Sequence, residues 1–147
     1  LLTFAMRGQS KKKVRKNNIK QTYVVDIRDG KTLPDRKSVY DKDGEVVEET
    51  TYTSEGKVKK LHKYKYNKQG DEVEELEFDE NNKLTERKVS KYNGLGEKIQ
   101  EVFFDADGKV FKVNTITHDG QGLKTEVKTT NGTGQVVNIR KYTYEMK

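Results

Sequence analysis

A turn signal recurs along this chain with a fixed alternating step, and it limits the possible folds more than any other feature. Gly or Asn stands at Asn18, Gly30, Gly44, Gly56, Gly70, Asn82, Gly96, Gly108, Gly122 and Gly134. The steps alternate between 12 and 14 residues, so the repeating unit is 26 residues long and holds two turns. Four residues before most of these positions stands an aromatic: Tyr40, Tyr52, Tyr66, Phe78, Tyr92, Phe104. A fixed period of this size marks a repeat architecture.

The residues around each signal specify the turn. In Tyr40-Asp41-Lys42-Asp43-Gly44-Glu45, Asp follows the aromatic, two polar residues follow Asp, and Gly closes the loop. That is the chemistry of a three-residue hairpin loop, a type I turn followed by a left-handed residue. Gly takes positive φ without steric penalty and Asn is the next best choice, which accounts for Asn18 and Asn82. The pattern returns at Asn67–Gly70, Asp79–Asn82, Asp105–Gly108, Asp119–Gly122 and Asn131–Gly134.

Between the turns lie strands of two lengths. Short ones are expected over 19–26, 45–52, 71–78, 97–104 and 123–130, and long ones over 31–40, 57–66, 83–92, 109–118 and 135–144. A further strand is expected within 1–13. Tight hairpins make consecutive strands antiparallel neighbours. The expected fold is therefore all-β: an open, twisted antiparallel meander of about 11 strands, partly a single-layer sheet. It forms one array over 1–147, with an N-terminal strand and basic segment over 1–17 and regular repeats over 18–147. No stretch between turns keeps a 3.6-residue period, so helices are not expected. Pro34, inside a strand, predicts an edge, bulge or break near 33–35.

Register follows from the turn. If Asp41 pairs with Glu45, Tyr40 faces Val46; likewise Tyr52 faces Val58, Phe78 faces Leu84 and Phe104 faces Val110. The same register sets Glu75 between Lys63 and Arg87, Glu74 beside Lys88 and Glu126 opposite Arg140. Short strands such as 71–77 are acidic and their long neighbours basic, so opposite charges meet across strands. Both parities of the middle strands carry charge, so a sheet wet on both faces is expected from about 45 to 100. Apolar residues gather toward the C-terminus, including Val110, Phe111, Ile116, Val136 and Ile139. There the sheet is expected to curl and bury a small core.

Composition agrees with such a fold. Only 31% of the 147 residues are hydrophobic and 37% are charged, too little apolar material for an ordinary two-layer core. Disorder is disfavoured because eight Tyr, five Phe, a single Pro and regular turn spacing have no place in a disordered chain. With no Cys, disulfides and thiolate metal sites are excluded. No apolar run approaches the length of a membrane span. The opening Leu1-Leu2-Thr3-Phe4-Ala5 reads either as a first strand or as the end of a signal-peptide apolar region, and both suit an exported protein.

Tyr40-Asp41-Lys42-Asp43-Gly44-Glu45-Val46 and Phe104-Asp105-Ala106-Asp107-Gly108-Lys109-Val110 resemble the tyrosine–aspartate (YD, Rhs-type) repeat, which shows aromatic-Asp-x-x-Gly-x-apolar on successive hairpins. The match covers residues 14–147 in period. The chain also looks like small exported β-repeat proteins of gut bacteria and, in its Lys/Glu-rich strands, like the single-layer sheet of spirochaete outer-surface lipoproteins. It is too short for the toxin-enclosing shell of YD-repeat proteins. What the resemblance implies is a β-hairpin array outside the cytoplasm: periplasmic, at the cell surface or secreted.

Two surfaces are candidates for binding. Tyr52, Tyr64, Tyr66, Phe78, Tyr92 and Phe104 form an aromatic set able to stack on sugar rings or on a partner's apolar patch. Lys11, Lys12, Lys13, Arg15 and Lys16 form a dense basic run suited to an anionic partner. Asp41-x-Asp43-Gly44 begins like a calcium loop, but position 12 is Tyr52 where a bidentate Glu is required, so the hairpin reading stands. His62 and His118 are far apart in register, and the adjacent carboxylates Glu48/Glu49 and Glu74/Glu75 point to opposite faces. No nucleophile set or phosphate loop is present, and no catalytic role, cofactor or metal is expected. The chain reads as a non-catalytic, exported β-repeat binding or surface-interaction module. Its expected partner is a protein or glycan, with nucleic acid disfavoured. The alternative is a polyanion or nucleic-acid binder that works through the basic run.

Overall fold

The computed structural model describes residues 9–147, so the opening segment Leu1–Ala5 lies outside the described residues. A short helix, α1 (Lys11–Lys16), precedes ten strands: β1 (Gln21–Arg28), β2 (Lys31–Tyr40), β3 (Val46–Tyr52), β4 (Val58–Tyr66), β5 (Glu72–Phe78), β6 (Leu84–Tyr92), β7 (Lys98–Phe104), β8 (Val110–His118), β9 (Lys124–Asn131) and β10 (Val136–Lys141). They make one open antiparallel sheet whose strand order is the sequence order, β1 to β10. The chain divides into two compact units. The first runs through Tyr64 and includes Glu77–Lys83; the second comprises Lys65–Leu76 and Leu84–Lys147.

The expected eleventh strand is not among the described residues. Part of its span, 1–8, lies outside them, and Lys11–Lys13 open a helix instead. Lys and Arg are good helix formers, so a run of them needs only a start and a stop. Ser10 supplies the start: its Oγ accepts the Lys13 backbone N–H at 3.3 Å. Asn18 supplies the stop at φ 51°. Its N–H donates to the Arg15 carbonyl at 3.2 Å, and the Ile19 N–H donates to the Val14 carbonyl at 3.0 Å, which together form a Schellman cap. Asn18 thus has the positive φ expected of it, but it ends a helix and does not turn a hairpin. The Lys13, Arg15 and Lys16 charges in the last turn suit the helix dipole.

The hairpin loops share one design. Gly44, Gly56, Gly70, Gly96, Gly108, Gly122 and Gly134 have φ between 78° and 85°, and Asn82 replaces Gly at φ 62°. The first loop residue locks each turn with its side chain. Asp41 Oδ1 accepts the N–H groups of Asp43 and Glu45, both at 2.9 Å. Asn67, Asp79, Asn93, Asp105, Asp119 and Asn131 repeat this pair of bonds, and Thr53 makes it with its hydroxyl. The recurrent Asp or Asn after the aromatic is therefore a turn brace. The β1–β2 hairpin differs: Arg28 pairs with Lys31 around Asp29 (φ 50°) and Gly30 (φ 73°), a two-residue type I′ turn.

Next to the turns the expected register holds, with Tyr40 facing Val46, Tyr52 facing Val58 and Phe104 facing Val110. One step further in, each of these hairpins carries a bulge: Val39 faces Glu48, which leaves Val47 as the extra residue. The slip displaces the charge pairs expected from a straight ladder. Glu126 lies opposite Lys141, not Arg140. Glu74 reaches Arg87 at 2.8 Å and Lys65 at 3.0 Å, while Glu75 reaches Lys88 at 3.0 Å. Pro34 sits at the expected irregularity: Val24 faces Arg36 and Val25 faces Pro34, which makes Asp35 the bulged residue.

Among the described residues hardly any side chain is buried. The buried apolar residues are Val14 and Ile116, and the buried polar ones Ser38 and Ser90. The C-terminal strands do not curl over a core. Val110 and Phe111 stay more than a third exposed, and in β10 Val136, Val137 and Ile139 stay about half exposed or more. A single sheet with no second layer has nothing to cover these side chains, whatever their hydropathy.

Candidate functional site

Helix α1 is seated on the first unit by the buried Val14 and by contacts of Lys11 and Arg15. Val14 is 1% exposed, the most buried side chain of the described chain, while the cations on either side of it point outward. Lys11 pairs with Glu45 just beyond the β2–β3 turn. The helix lies on that turn: a Cβ built on Gly44 would come within 2.7 Å of the Lys11 carbonyl oxygen and 3.5 Å of Arg15 Cβ. Gly44 is thus required twice, for its positive φ and for the close approach of α1. Of the five basic residues expected to form a patch, only Lys11 has an acidic partner among the described residues; Lys12, Lys13, Arg15 and Lys16 have none. The structure therefore keeps the run together, on a helix rather than a strand end.

Between α1 and the β2–β3 turn lies a groove of about 280 Å³. Val14, Ile19 and Tyr40 supply its apolar wall, and Arg15, Lys20 and Lys42 its cations. Its backbone frame is tied at several points. The Tyr40 N–H donates to the Lys20 carbonyl at 3.0 Å, the Schellman cap fixes Asn18 and Ile19, and Asp41 braces the loop that carries Lys42.

The aromatic set is not brought together on one surface. In the first unit, Glu49 faces His62, and His62 stacks on Tyr64 with ring centroids 6.2 Å apart. Tyr52 has the opposite parity to Glu49 and Thr51 in β3, and Phe78 lies under Lys63 Nζ at 5.4 Å, on the face opposite His62. In the second unit, Arg87 pairs with Phe104 and lies over its ring at 5.1 Å. Tyr92 has the parity of Lys88 and Ser90, opposite to Arg87, and Tyr66 has the parity opposite to Lys65, which shares Glu74 with Arg87. Tyr92 is also committed internally, since its Oη donates to the Glu72 carbonyl at 2.8 Å. Each unit thus divides its candidate aromatics between two faces, and Phe78 and Phe104 carry a cation over the ring.

The second unit carries a chain of polar contacts in place of a core. Lys88 Nζ lies 3.0 Å from Glu75, 3.9 Å from Glu72 and 4.0 Å from Glu101. Lys98 reaches Glu101 at 3.3 Å, Asn114 Nδ2 donates to Glu101 at 3.3 Å, and Thr129 Oγ1 donates to Asn114 at 2.8 Å. Burial raises the Glu72 pKa, and Lys88 offsets this only in part. Burial opposes charge on Glu101 as well, but Lys98, Asn114 and Lys88 together hold its pKa below the ordinary carboxylate value. Burial also opposes charge on Lys88, yet its carboxylate neighbours raise its pKa overall. In the first unit, Glu77 joins Lys60 at 2.7 Å and His62 at 3.4 Å. These groups neutralise one another inside each unit.

No known protein family matches the chain, and no curated protein does. Among solved structures it is similar to TarM of S. aureus, at 13% identity over 84% of this chain and 23% of that one, with a TM-score of 0.33. It is similar to the GtfA/B complex bound to UDP and GlcNAc, at 15% identity over 81% of this chain and 24% of that one, also at 0.33. A protein of unknown function from Bacteroides fragilis aligns at 14% identity over 86% of this chain and 96% of that one, with a TM-score of 0.16. The chain spans about a quarter of the length of the first two.

Sequence reasoning missed the groove. Lys20 and Lys42 stand outside the basic run, and in sequence Tyr40 reads only as a turn-flanking aromatic. Finding them required knowing that 11–16 is a helix folded back on the first regular turn. The capping signals Ser10 and Asn18 around a run of helix formers were the available clue. Among the described residues no helix is long and apolar enough to cross a membrane.

Proposed function

We propose that this chain is a non-catalytic β-repeat binding module that meets an anionic polymer through helix α1. The observation that carries the reading is where the net charge lies. Residues 1–20 hold seven Lys or Arg and no Asp or Glu, whereas residues 21–147 hold 23 basic against 24 acidic residues. The whole excess of the chain, +6, therefore belongs to the segment that contains α1, and the repeats are close to neutral. A compact cluster of unpartnered cations on a fixed helix favours polyanions through counterion release. The sheet serves as the scaffold. An exported location fits the resemblance to exported β-repeat proteins, and a sulfated or phosphorylated surface polymer is then the natural partner.

Titration with heparin at increasing salt tests this reading. The affinity is expected to fall steeply, with a log–log slope of about −3 or steeper. Affinity that does not change with salt, or no binding at low salt, would refute it. A second reading, contact with a protein, draws on Val136, Val137 and Ile139, all about half exposed or more on β10 at the end of the strand order. On that reading Val137→Lys abolishes capture of a partner protein while heparin affinity is unchanged.

A further inference from the structure

We infer that the groove between α1 and the β2–β3 turn is a binding site for one phosphate- or sulfate-bearing sugar unit, an inference that rests on the polyanion reading and names what it recognises. Two observations define the ligand. The first is charge: Arg15, Lys20 and Lys42 come from three different segments and line one groove, and none has an acidic partner among the described residues. The lining also holds the carboxylate of Asp41, whose Oδ1 accepts two backbone N–H groups at 2.9 Å, so three cations against one carboxylate leave the groove with a formal charge of +2. The second is shape and polarity: beside the polar groups, Ile19 and the half-buried ring of Tyr40 supply an apolar side, backed by the buried Val14.

The volume separates a sugar from a bare anion. About 280 Å³ lies just under the range of small-molecule pockets and is more than one tetrahedral anion fills. A monosaccharide ring set against Tyr40, with its anionic group among the three cations, uses both the wall and the charge. The frame is fixed before binding. Tyr40 is tied to Lys20 through the backbone and to Thr22 through a hydroxyl contact of 3.1 Å, and Gly44 admits the helix. Little ordering of the backbone is then required on binding. On a polymer, this groove would read one charged residue while Lys12, Lys13 and Lys16 meet the flanking charges.

The test is an NMR titration of the whole chain with four probes: glucose 6-phosphate, glucose 6-sulfate, glucose and inorganic phosphate. Saturable shifts are expected at the Asn18, Ile19 and Tyr40 amides with either charged sugar, at an affinity about tenfold above that for glucose or phosphate alone. The double variant Arg15→Gln, Lys42→Gln is expected to lose about tenfold in sugar-phosphate affinity. The outer-face variant Lys12→Gln, Lys13→Gln, Lys16→Gln should keep it within about twofold while losing heparin. Equal affinity for inorganic phosphate would reduce the groove to an anion site and overturn the inference. So would charged-sugar affinity that falls equally in both variants. If neither charged sugar saturates while heparin still binds, the inference fails and the polymer reading survives. If the charged sugars saturate while heparin does not bind, the polymer reading fails and the groove assignment stands.

Discussion

Helix α1 and the strands that follow it are built on opposite principles. The strands hold almost nothing buried and almost no net charge; braced turns and cross-strand pairs order them, and Lys88 alone lies within 4.0 Å of three carboxylates. The helix has one buried side chain, Val14 at 1% exposure, and surrounds it with cations that, apart from Lys11, have no acidic partner among the described residues. Where the 26-residue rhythm is kept, basic and acidic residues nearly cancel, 23 against 24 over 21–147. Where the rhythm breaks, before Gln21, charge is left over. A repeat that balances itself makes a scaffold, and its exceptions are the places to look for function.

The largest effect should come from disturbing the contact between the two. Gly44 and Gly108 occupy the same place in equivalent loops, at φ 83° and 80°. A Cβ at Gly108 meets nothing within 4 Å, whereas one at Gly44 collides with the helix backbone. Gly108→Ala should cost about 1 kcal/mol, the left-handed penalty alone. Gly44→Ala should cost about 3 kcal/mol by urea titration, because α1 must also move. Equal costs would mean that the helix does not rest on the turn.

Val14→Ala should follow: the free energy of locally opening residues 11–19 falls by about 2 kcal/mol, read as faster amide exchange confined to those residues. Uniformly faster exchange through the strands would show that the helix is integral to the sheet rather than seated on it.

Acid should act on the strands instead. Burial opposes charge on Glu74, Glu77 and Glu101, but cationic partners lower their pKa values below the unfolded value. Groups of this kind contribute stability above the unfolded carboxylate value, and that stability disappears as pH falls through the folded values. Glu72, raised by burial, works in the other direction and gains relative stability on protonation. Since the lowered groups outnumber it, unfolding free energy should decline below about pH 4.5. A flat profile from pH 6 to 3 would remove ion pairing from the account of the strands. The smallest effect belongs to a single exposed pair: Lys65→Met should cost about 0.5 kcal/mol or less, since Glu74 keeps Arg87.

Much of the fold was legible because turn chemistry is local. Glycines and asparagines at positive φ, braced by Asp41 and its equivalents, fix each hairpin without reference to the rest of the chain, and strand bounds follow to within one or two residues over most of the array. The bulges beside the turns, as at Val47, were not legible, because a single extra residue leaves no compositional mark, and they displaced expected charge pairs such as Glu126–Arg140, where Glu126 lies opposite Lys141. Helix α1 escaped because six residues are too few to show a period. The basic run was legible as a cluster, but its groove was not, since Lys42 joins Arg15 only through the tertiary seat at Gly44. The aromatic set was legible as regular four-residue offsets from each turn, but strand alternation divides it between two faces within each unit.

The central claim is that charge and scaffold are separable, and one paired measurement tests it most directly. Heparin affinity and the urea midpoint are measured together for the parent chain and for Lys12→Gln, Lys13→Gln, Lys16→Gln, a variant that leaves the Lys11–Glu45 pair and the Val14 anchor in place. The account predicts that affinity falls at least about tenfold and the salt slope shrinks by about 3, with the urea midpoint lowered by no more than the small loss of the Lys13 and Lys16 charges at the helix C-terminus, under about 1 kcal/mol. Undiminished affinity would place the binding surface on the strands, and a midpoint lowered further than that would show that helix and scaffold are one; either result contradicts the account.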